Sequence, residues 1–419
     1  MKLFTTGYTF ASLRVRDYRL MWLAQLGTSM GQWMDQMTRG WLMYEITGSA
    51  LQLGLATALR GLPLLFFGIL AGAVADRSNR KSQLIMAQVI NALLNIILAT
   101  LVLLHRVQPW HVYVTGFLAG TVQAFQQPAR QTLISDIVGA RHLMNALALN
   151  SMALNVSRAL GPAAAGLLIA FFGAHGSYYT QAAMFIMATL WTMQMAVPAR
   201  SPESAAVRRE PFLRSIAAGL IFVARDRDVR TLMILAHGPL TLGMPYMSLM
   251  PIFAKDVLHG GAQLQGFLLT IIGIGSVLGA LAVASMQRRY CYGYAVVTGA
   301  LAFGVTLLGF ASARHILLSA VCAFGVGVCV VVYQTQNQTL LQLLAPREMR
   351  GRVMSIFLLN RGLVPLGTFV AGVLAEHFGG PLALQIMSLA VLGVVGAVGL
   401  LTPRFLKLRV EFQDRVPTR

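Results

Sequence analysis

Gln25, Thr28, Gln32, Asp35 and Arg39 follow one another at steps of three and four residues. On a helix that spacing puts all five on one face. The run that carries them, 18–46, is otherwise apolar. A charged side chain at the centre of a bilayer costs about 2.5–3.5 kcal/mol, so charges kept there need a reason. Arg39, Arg60, Arg130, Arg158 and Arg361 all fall inside apolar runs, and Asp35 is the acid set deepest in one. Glu45, Asp136 and Glu376 sit nearer the ends of theirs. Burial disfavours a charged carboxylate, whereas a nearby guanidinium favours it. A carboxyl held between these effects can change protonation when the guanidinium moves away. Asp35 is therefore the candidate for coupling proton movement to a change of shape. The simpler role is a fixed ion pair that lets Arg39 or Arg60 sit in the membrane.

Other polar groups recur at helical spacing. Gln123 and Gln127 lie in one apolar run, and Gln334, Asn337 and Gln338 in another. With the residues above and Arg361, they could line a substrate cavity. His237 stands beside Gly238, Pro239 and Pro245, where a helix should break, and could bind substrate or titrate. A hydrogen-bonded packing role is its alternative. Gln88, Asn91 and Asn95, like Ser151, Asn155 and Arg158, are read mainly as interhelical bonds, worth about 0.6 kcal/mol per pair.

Such residues need apolar helices to hold them, and the chain supplies little else. Of its 419 residues, 56% are hydrophobic and 11% charged, against about 25% charged in a soluble domain. A spanning helix takes about 20 mostly apolar residues. Twelve segments fit: α1 18–46, α2 51–75, α3 82–104, α4 110–137, α5 142–172, α6 177–197, α7 229–256, α8 263–286, α9 293–312, α10 315–343, α11 351–377 and α12 382–403. The expected fold is an all-α polytopic membrane protein with twelve transmembrane helices in two pseudo-symmetric six-helix bundles. Residues 1–197 form the N-terminal bundle. Residues 198–228 form a cytoplasmic linker with a short surface helix near 212–225, and 229–419 form the C-terminal bundle and tail. The halves echo one another. Gln131-Thr132-Leu133-Ile134 returns as Gln338-Thr339-Leu340-Leu341, and Gly166 with Phe172-Gly173 returns as Gly372 with Phe378-Gly379. Parallel repeats of this kind bind substrate between the halves, near the bilayer midplane.

A formal charge of +19 would suggest nucleic acid if the basic residues formed one patch. They form short clusters between apolar runs instead, so no nucleic acid is expected. About 25 Lys and Arg fall on one side of the twelve spans, which makes that side cytoplasmic, with both termini and the linker. Arg106, Lys255 and Arg314 fall on the other. The first span is read as a retained helix, because no short apolar stretch with a cleavage site follows the N-terminal arginines. Cys291, Cys322 and Cys329 cannot all pair and show no metal-ligand spacing, so neither a disulfide framework nor a metal or cofactor is expected.

Between α2 and α3 the chain reads Gly72-Ala73-Val74-Ala75-Asp76-Arg77-Ser78-Asn79-Arg80-Lys81. This resembles the loop signature G-x-L-A-D-R-x-G-R-K of the major facilitator superfamily. Asn79 replaces the second glycine, and Asn tolerates a left-handed backbone. The resemblance implies a cytoplasmic gate of Gly72, Asp76, Arg77, Arg80 and Lys81, with Arg130 and Asp136 at the inner end of α4. Arg130 is expected to pair with Asp136 or the loop cluster. In α5, Arg158, Gly161, Pro162 and Gly166 look like the G-P-x-x-x-G element of the superfamily's exporters, a bend or a close-packing point. Further matches are Trp41-Leu42-Met43-Tyr44, Thr47-Gly48-Ser49-Ala50, Gly61-Leu62-Pro63 and Pro128-Ala129-Arg130-Gln131. Together they are similar to the transmembrane secretion effector branch, the group with macrolide and enterobactin exporters. In that fold α1, α4, α7 and α10 line the central cavity.

The resemblance implies a major facilitator fold and a secondary active transporter. It would export a small amphipathic molecule, such as a drug, macrolide or siderophore, by alternating access coupled to protons. A monomer in a bacterial inner membrane is expected, with the small-molecule substrate, protons and the lipid bilayer as its partners. Uptake symport of a small anionic metabolite is the alternative. A membrane-embedded enzyme or lipid-handling protein would need a cluster of acids and histidines at one interface, and the sequence offers no such catalytic set.

Overall fold

The computed structural model describes residues 10–196, 212–285, 290–346, 348–358 and 360–411; over 68–77, 140–141, 212–218, 290–292, 358, 360–361 and 409–411 it describes backbone alone. Residues 198–211 of the expected linker, Arg288, Arg289, Arg347 and the end of the basic tail lie outside the described residues.

Every expected span has a helical counterpart. α1 is Arg16–Thr47, α2 Ala50–Arg77 and α3 Arg80–Leu103. A single helical run, Pro109–Met193, then covers three spans. Gly139 (φ 63, ψ 176) and Gly173 (φ 72, ψ 177) break it into α4 at 109–138, α5 at 140–172 and α6 at 174–193. That backbone region is open almost only to glycine. Gly379, before α12, has φ 80, so the two Phe-Gly pairs that marked the sequence repeat each make a positive-φ turn.

The surface helix is Phe212–Arg225. α7 is Arg227–Gly243, continued by Tyr246–Ile252 and a π-turn at Phe253–Val257. α8 is Ala262–Ser285, α9 Gly293–Ser312 and α10 Ile316–Leu344. α11 runs as Arg350–Leu358 and Asn360–Phe378, and α12 is Gly380–Leu401. The helix α7 passes through His237 and Pro239 unbroken and stops before Pro245, so the expected break lies at Pro245 and not at Pro239. Pro245 has no N–H to give and would clash with a carbonyl one turn back. Its own carbonyl accepts from Ser248 and Leu249 to restart the helix. Residues Tyr290–Tyr292 pair antiparallel with Arg409–Glu411 as a short ribbon.

Among the described residues, eight helical stretches, one of them 142–193 covering both α5 and α6, are long and apolar enough to cross a membrane. The helices α1 and α4 fall short of that hydropathy, and α7, whose unbroken part is 17 residues, falls short in length. They carry the polar stripe, the glutamines with Arg130, and the proline break respectively. Elsewhere large apolar side chains such as Phe171, Leu317, Val321 and Leu400 are exposed, as a lipid-facing surface requires.

The chain packs as two compact units. The first comprises Met1–Val207 with Met250–Thr270. At one end Tyr18, Met21, Leu84, Leu133, Ile134 and Leu149 form a core. Tyr18 Oη donates to Ala146 O at 2.6 Å and Trp22 Nε1 to Leu149 O at 2.9 Å, tying α1 to α5. The α6 helix joins α1 through Thr38, Ser177 and Gln181, with Oγ1–Oγ 2.7 Å between the hydroxyls. It joins α3 through Gln88 and Thr192. The second unit comprises Arg208–Leu249 with Ile271–Arg419. There Phe303 of α9 stacks on Tyr333 of α10 at 5.8 Å, and Asn337 Nδ2 donates to Leu232 O of α7 at 3.2 Å.

Candidate functional site

The first unit holds a buried cluster of one carboxylate and two guanidiniums. Asp35 and Arg39 lie one turn apart on α1, so a short helical step brings them into contact. Arg39 Nη2 reaches Asp35 Oδ1 at 2.9 Å. Its Nη1 donates to Val112 O at 3.0 Å and Thr115 Oγ1 at 2.8 Å on α4. Arg60 of α2 pairs with Asp35 Oδ2. Gly116 leaves room for the Arg39 guanidinium, and Gly120 lets α4 pass close to the backbone of Arg60. Tyr178 of α6, fully buried within electrostatic reach of Arg39, has a hydroxyl without a hydrogen-bond partner. Arg39 is locked on three sides. Arg60 is the looser member, its side chain 16% exposed against 5% for Asp35. The cluster is positive by one charge, because one carboxylate serves two arginines.

Further along α1, Gln25 Nε2 donates to Ser29 Oγ at 2.6 Å, and Gln32 Nε2 donates to Gln126 Oε1 of α4 at 3.2 Å. Arg130 Nη2 donates to Thr28 Oγ1 at 3.1 Å. Arg130 does not pair with Asp136; that carboxylate pairs with Arg80 of α3. Six residues turn a helix by about 240° net, so Arg130 and Asp136 face different neighbours. Gln123 and Gln127 are half-buried. The face of α4 that meets α1 carries Gln126 and Arg130 instead.

Of the loop motif, Asn79 is extended (φ −69, ψ 112), not left-handed, and caps α3 by accepting from Lys81 N and Ser82 N. This corrects the expected reason for its tolerance: it works as an N-cap. Lys81 Nζ donates to Met193 O and Met195 O, both at 2.8 Å, at the end of α6. The side chains of Asp76, Arg77 and Arg361 and the surroundings of Gly72 lie outside the described residues.

The α5 motif is a close-packing seam. Gly161 lies against Trp33 of α1, and the Arg158 guanidinium stacks 5.6 Å from the ring of the same Trp33. Pro162 and Gly166 lie against Gly266 of α8. Beside this seam Tyr44 Oη donates to Asp256, and Lys255 Nζ lies 5.6 Å from the Tyr44 ring. A hydrogen bond to a charged group contributes about 1.5–3 kcal/mol. Tyr44→Phe should therefore raise amide exchange across 250–260 by about tenfold or more while the helices persist. Unchanged exchange there would mean that the contact holds nothing.

In the second unit, His237 Nδ1 lies 2.9 Å from Met233 O of its own helix. Gln334 is half-buried and Gln338 exposed. Asn337 is buried on the α7 backbone, with its Oδ1 unpaired. Thr115, Tyr178, Gln126 and the paired glycines of α4 were not among the expected site residues. The Gly116 and Gly120 spacing is the small-residue pattern of close helix pairs, and it was present in the sequence.

The chain matches the transmembrane secretion effector family over residues 7–415. It is 25% identical over 384 residues to the staphyloferrin A transporter of Staphylococcus aureus (strain NCTC 8325 / PS 47), covering 91% of this chain and 95% of that protein. It is 28% identical over 401 residues to the multidrug efflux pump Tap of Mycolicibacterium fortuitum, covering 93% and 96%. Among solved structures, the nucleoside transporter NupG aligns with a TM-score of 0.74 at 14% identity, covering 91% of this chain and 98% of that one; that likeness concerns the fold alone. A multi-pass helical chain matched along nearly its whole length belongs, then, to the transmembrane secretion effector family of the major facilitator superfamily, a family of secondary transporters and not of enzymes.

Proposed function

We propose that this transporter exports a small amphipathic molecule from the cytoplasm across a bacterial inner membrane, driven by the proton gradient. Asp35 is the coupling group. The observation that carries this reading is the Asp35 carboxylate shared by Arg39 and Arg60. Protonation of Asp35 would release the looser Arg60, and Arg60 would return when the proton leaves. The relatives named as a multidrug efflux pump and a staphyloferrin A transporter support a drug-like or siderophore-like cargo. The bundles 1–197 and 229–419 would rock about a central site, tethered by 198–228. Both termini would be cytoplasmic, and Asp76 with the Arg80–Asp136 pair would close the inner side.

Inside-out membrane vesicles given a proton gradient test this directly. They should accumulate a fluorescent amphipathic cargo, and a protonophore should abolish the accumulation. Accumulation only in right-side-out vesicles would make the protein an uptake carrier, and insensitivity to the protonophore would remove the proton. Tags at 198–228 and at Arg419 should stay shielded in intact cells; external labelling at either overturns the orientation.

A further inference from the structure

Arg130 is the first unit's other deep cation, and the coupling cluster makes no use of it. It is 8% exposed on α4, and Thr28 Oγ1 is the acceptor it reaches. Among the described residues no carboxylate lies within ion-pair distance of it. A guanidinium carries five N–H donors, and one hydroxyl leaves most of them unanswered. A charge kept this deep with no carboxylate partner among the described residues is costly to hold and marks a candidate functional group.

The surroundings repeat the same shortage. Gln126 sits one turn before Arg130 on α4, and Gln32 one turn after Thr28 on α1; their amides meet at 3.2 Å. Gln126 is 1% exposed, and its Nε2 has no hydrogen-bond partner. Gln25, 3% exposed and three residues before Thr28, leaves its Oε1 unpaired. Unused donors thus cluster around a positive charge, with one unused acceptor a turn away. We infer that Arg130, held by Thr28, and Gln126 form an anion subsite for a carboxylate of the transported molecule, with Gln25 accepting from a hydroxyl beside it; the Thr28 hydroxyl spends its own proton on Gln25 O at 3.1 Å. The inference rests on the export reading and names the charge of the cargo that reading moves. It also moves Arg130 from gating to substrate recognition. A carboxylate would accept from two guanidinium N–H groups side by side and from the Gln126 amide.

Salicylate and salicylamide separate charge from shape, since both carry an aromatic ring and an ortho hydroxyl. Binding is measured by equilibrium dialysis on the intact protein in phosphatidylcholine nanodiscs, where no anionic lipid competes. The wild type should prefer salicylate. Arg130→Gln should weaken salicylate about tenfold or more and leave salicylamide unchanged, because a hydrogen bond to a charged group is lost. Arg130→Lys should fall between, since lysine keeps the charge but not the planar fork. Gln126→Leu should show the same selective loss to a smaller degree, and it carries the comparison if Arg130→Gln does not fold. No preference in the wild type, or equal loss of both ligands in the variants, overturns the subsite. If vesicles export a neutral dye while the salicylate preference is absent, the subsite fails and export stands. If the charge-selective loss appears without outward transport, the subsite stands and the direction fails.

Discussion

Asp35→Asn is expected to abolish gradient-driven transport while substrate exchange without a gradient persists. Asparagine keeps the shape of the side chain and its acceptor oxygen, so Arg39 still has Val112 O and Thr115 Oγ1. What disappears is the negative charge that Arg39 and Arg60 share and the site where a proton could sit. Removing one partner from a buried ion pair costs about 3–5 kcal/mol of stability, so a drop in thermal midpoint should accompany the change. Arg60→Gln, which removes the excess charge, should restore much of that stability in the double variant without restoring coupling. The pH dependence of transport should flatten in Asp35→Asn. Gradient-driven transport with a normal pH profile would reduce the cluster to a structural ion pair. A variant that recovers both stability and coupling on loss of Arg60 would do the same.

The second large effect belongs to the seam between α5 and α8. A Cβ at Gly166 would lie 2.7 Å from Ala262 O, and one at Gly266 2.6 Å from Pro162 O. These are backbone atoms, which cannot swing aside as a flexible side chain can. Gly166→Leu should push the start of α8 away from α5 and cost about 1–3 kcal/mol or more through overpacking. Transport should fall at least about tenfold, a barrier change of about 1.4 kcal/mol. Gly166→Ala should lie between leucine and the wild type. A leucine variant with normal thermal midpoint and normal transport in vesicles would show that the seam can open freely.

The sequence made some of this arrangement legible, for reasons visible in particular residues. Asp35 and Arg39 were readable because four residues along one helix is a contact whatever surrounds it. The Phe172-Gly173 and Phe378-Gly379 pairs were readable as a repeat; that each makes a positive-φ turn, where glycine is favoured, came from the structure. Partners on other helices were harder. On α4 the amides offer two faces, Gln123 with Gln127 and Gln126 with Arg130, and spacing alone does not say which face α1 covers. Thr115 and Tyr178 look like ordinary polar residues of apolar helices until Arg39 is placed beside them. Asn79 was read for its backbone tolerance, while its side-chain oxygen turned out to cap α3. The Pro239 and Pro245 pair gave two places to end α7, and spacing alone does not say that the helix keeps Pro239 inside it and stops before Pro245.

Two single residues, Gly139 and Gly173, are all that separates α4, α5 and α6. Such joints have no slack. An epitope or fluorescent protein inserted at either would have to unwind helix on both sides before it could leave the bilayer, so neither joint can host a reporter. The stretch between α3 and α4 differs. Residues 103–106 are exposed, and His105 already has a positive φ of 53 outside any helix. Inserted chain there adds loop length, which raises closure entropy only slowly. For engineering the first unit, the stretch between Leu103 and Pro109 is the point of attachment, and the run from Pro109 to Met193 is best kept whole.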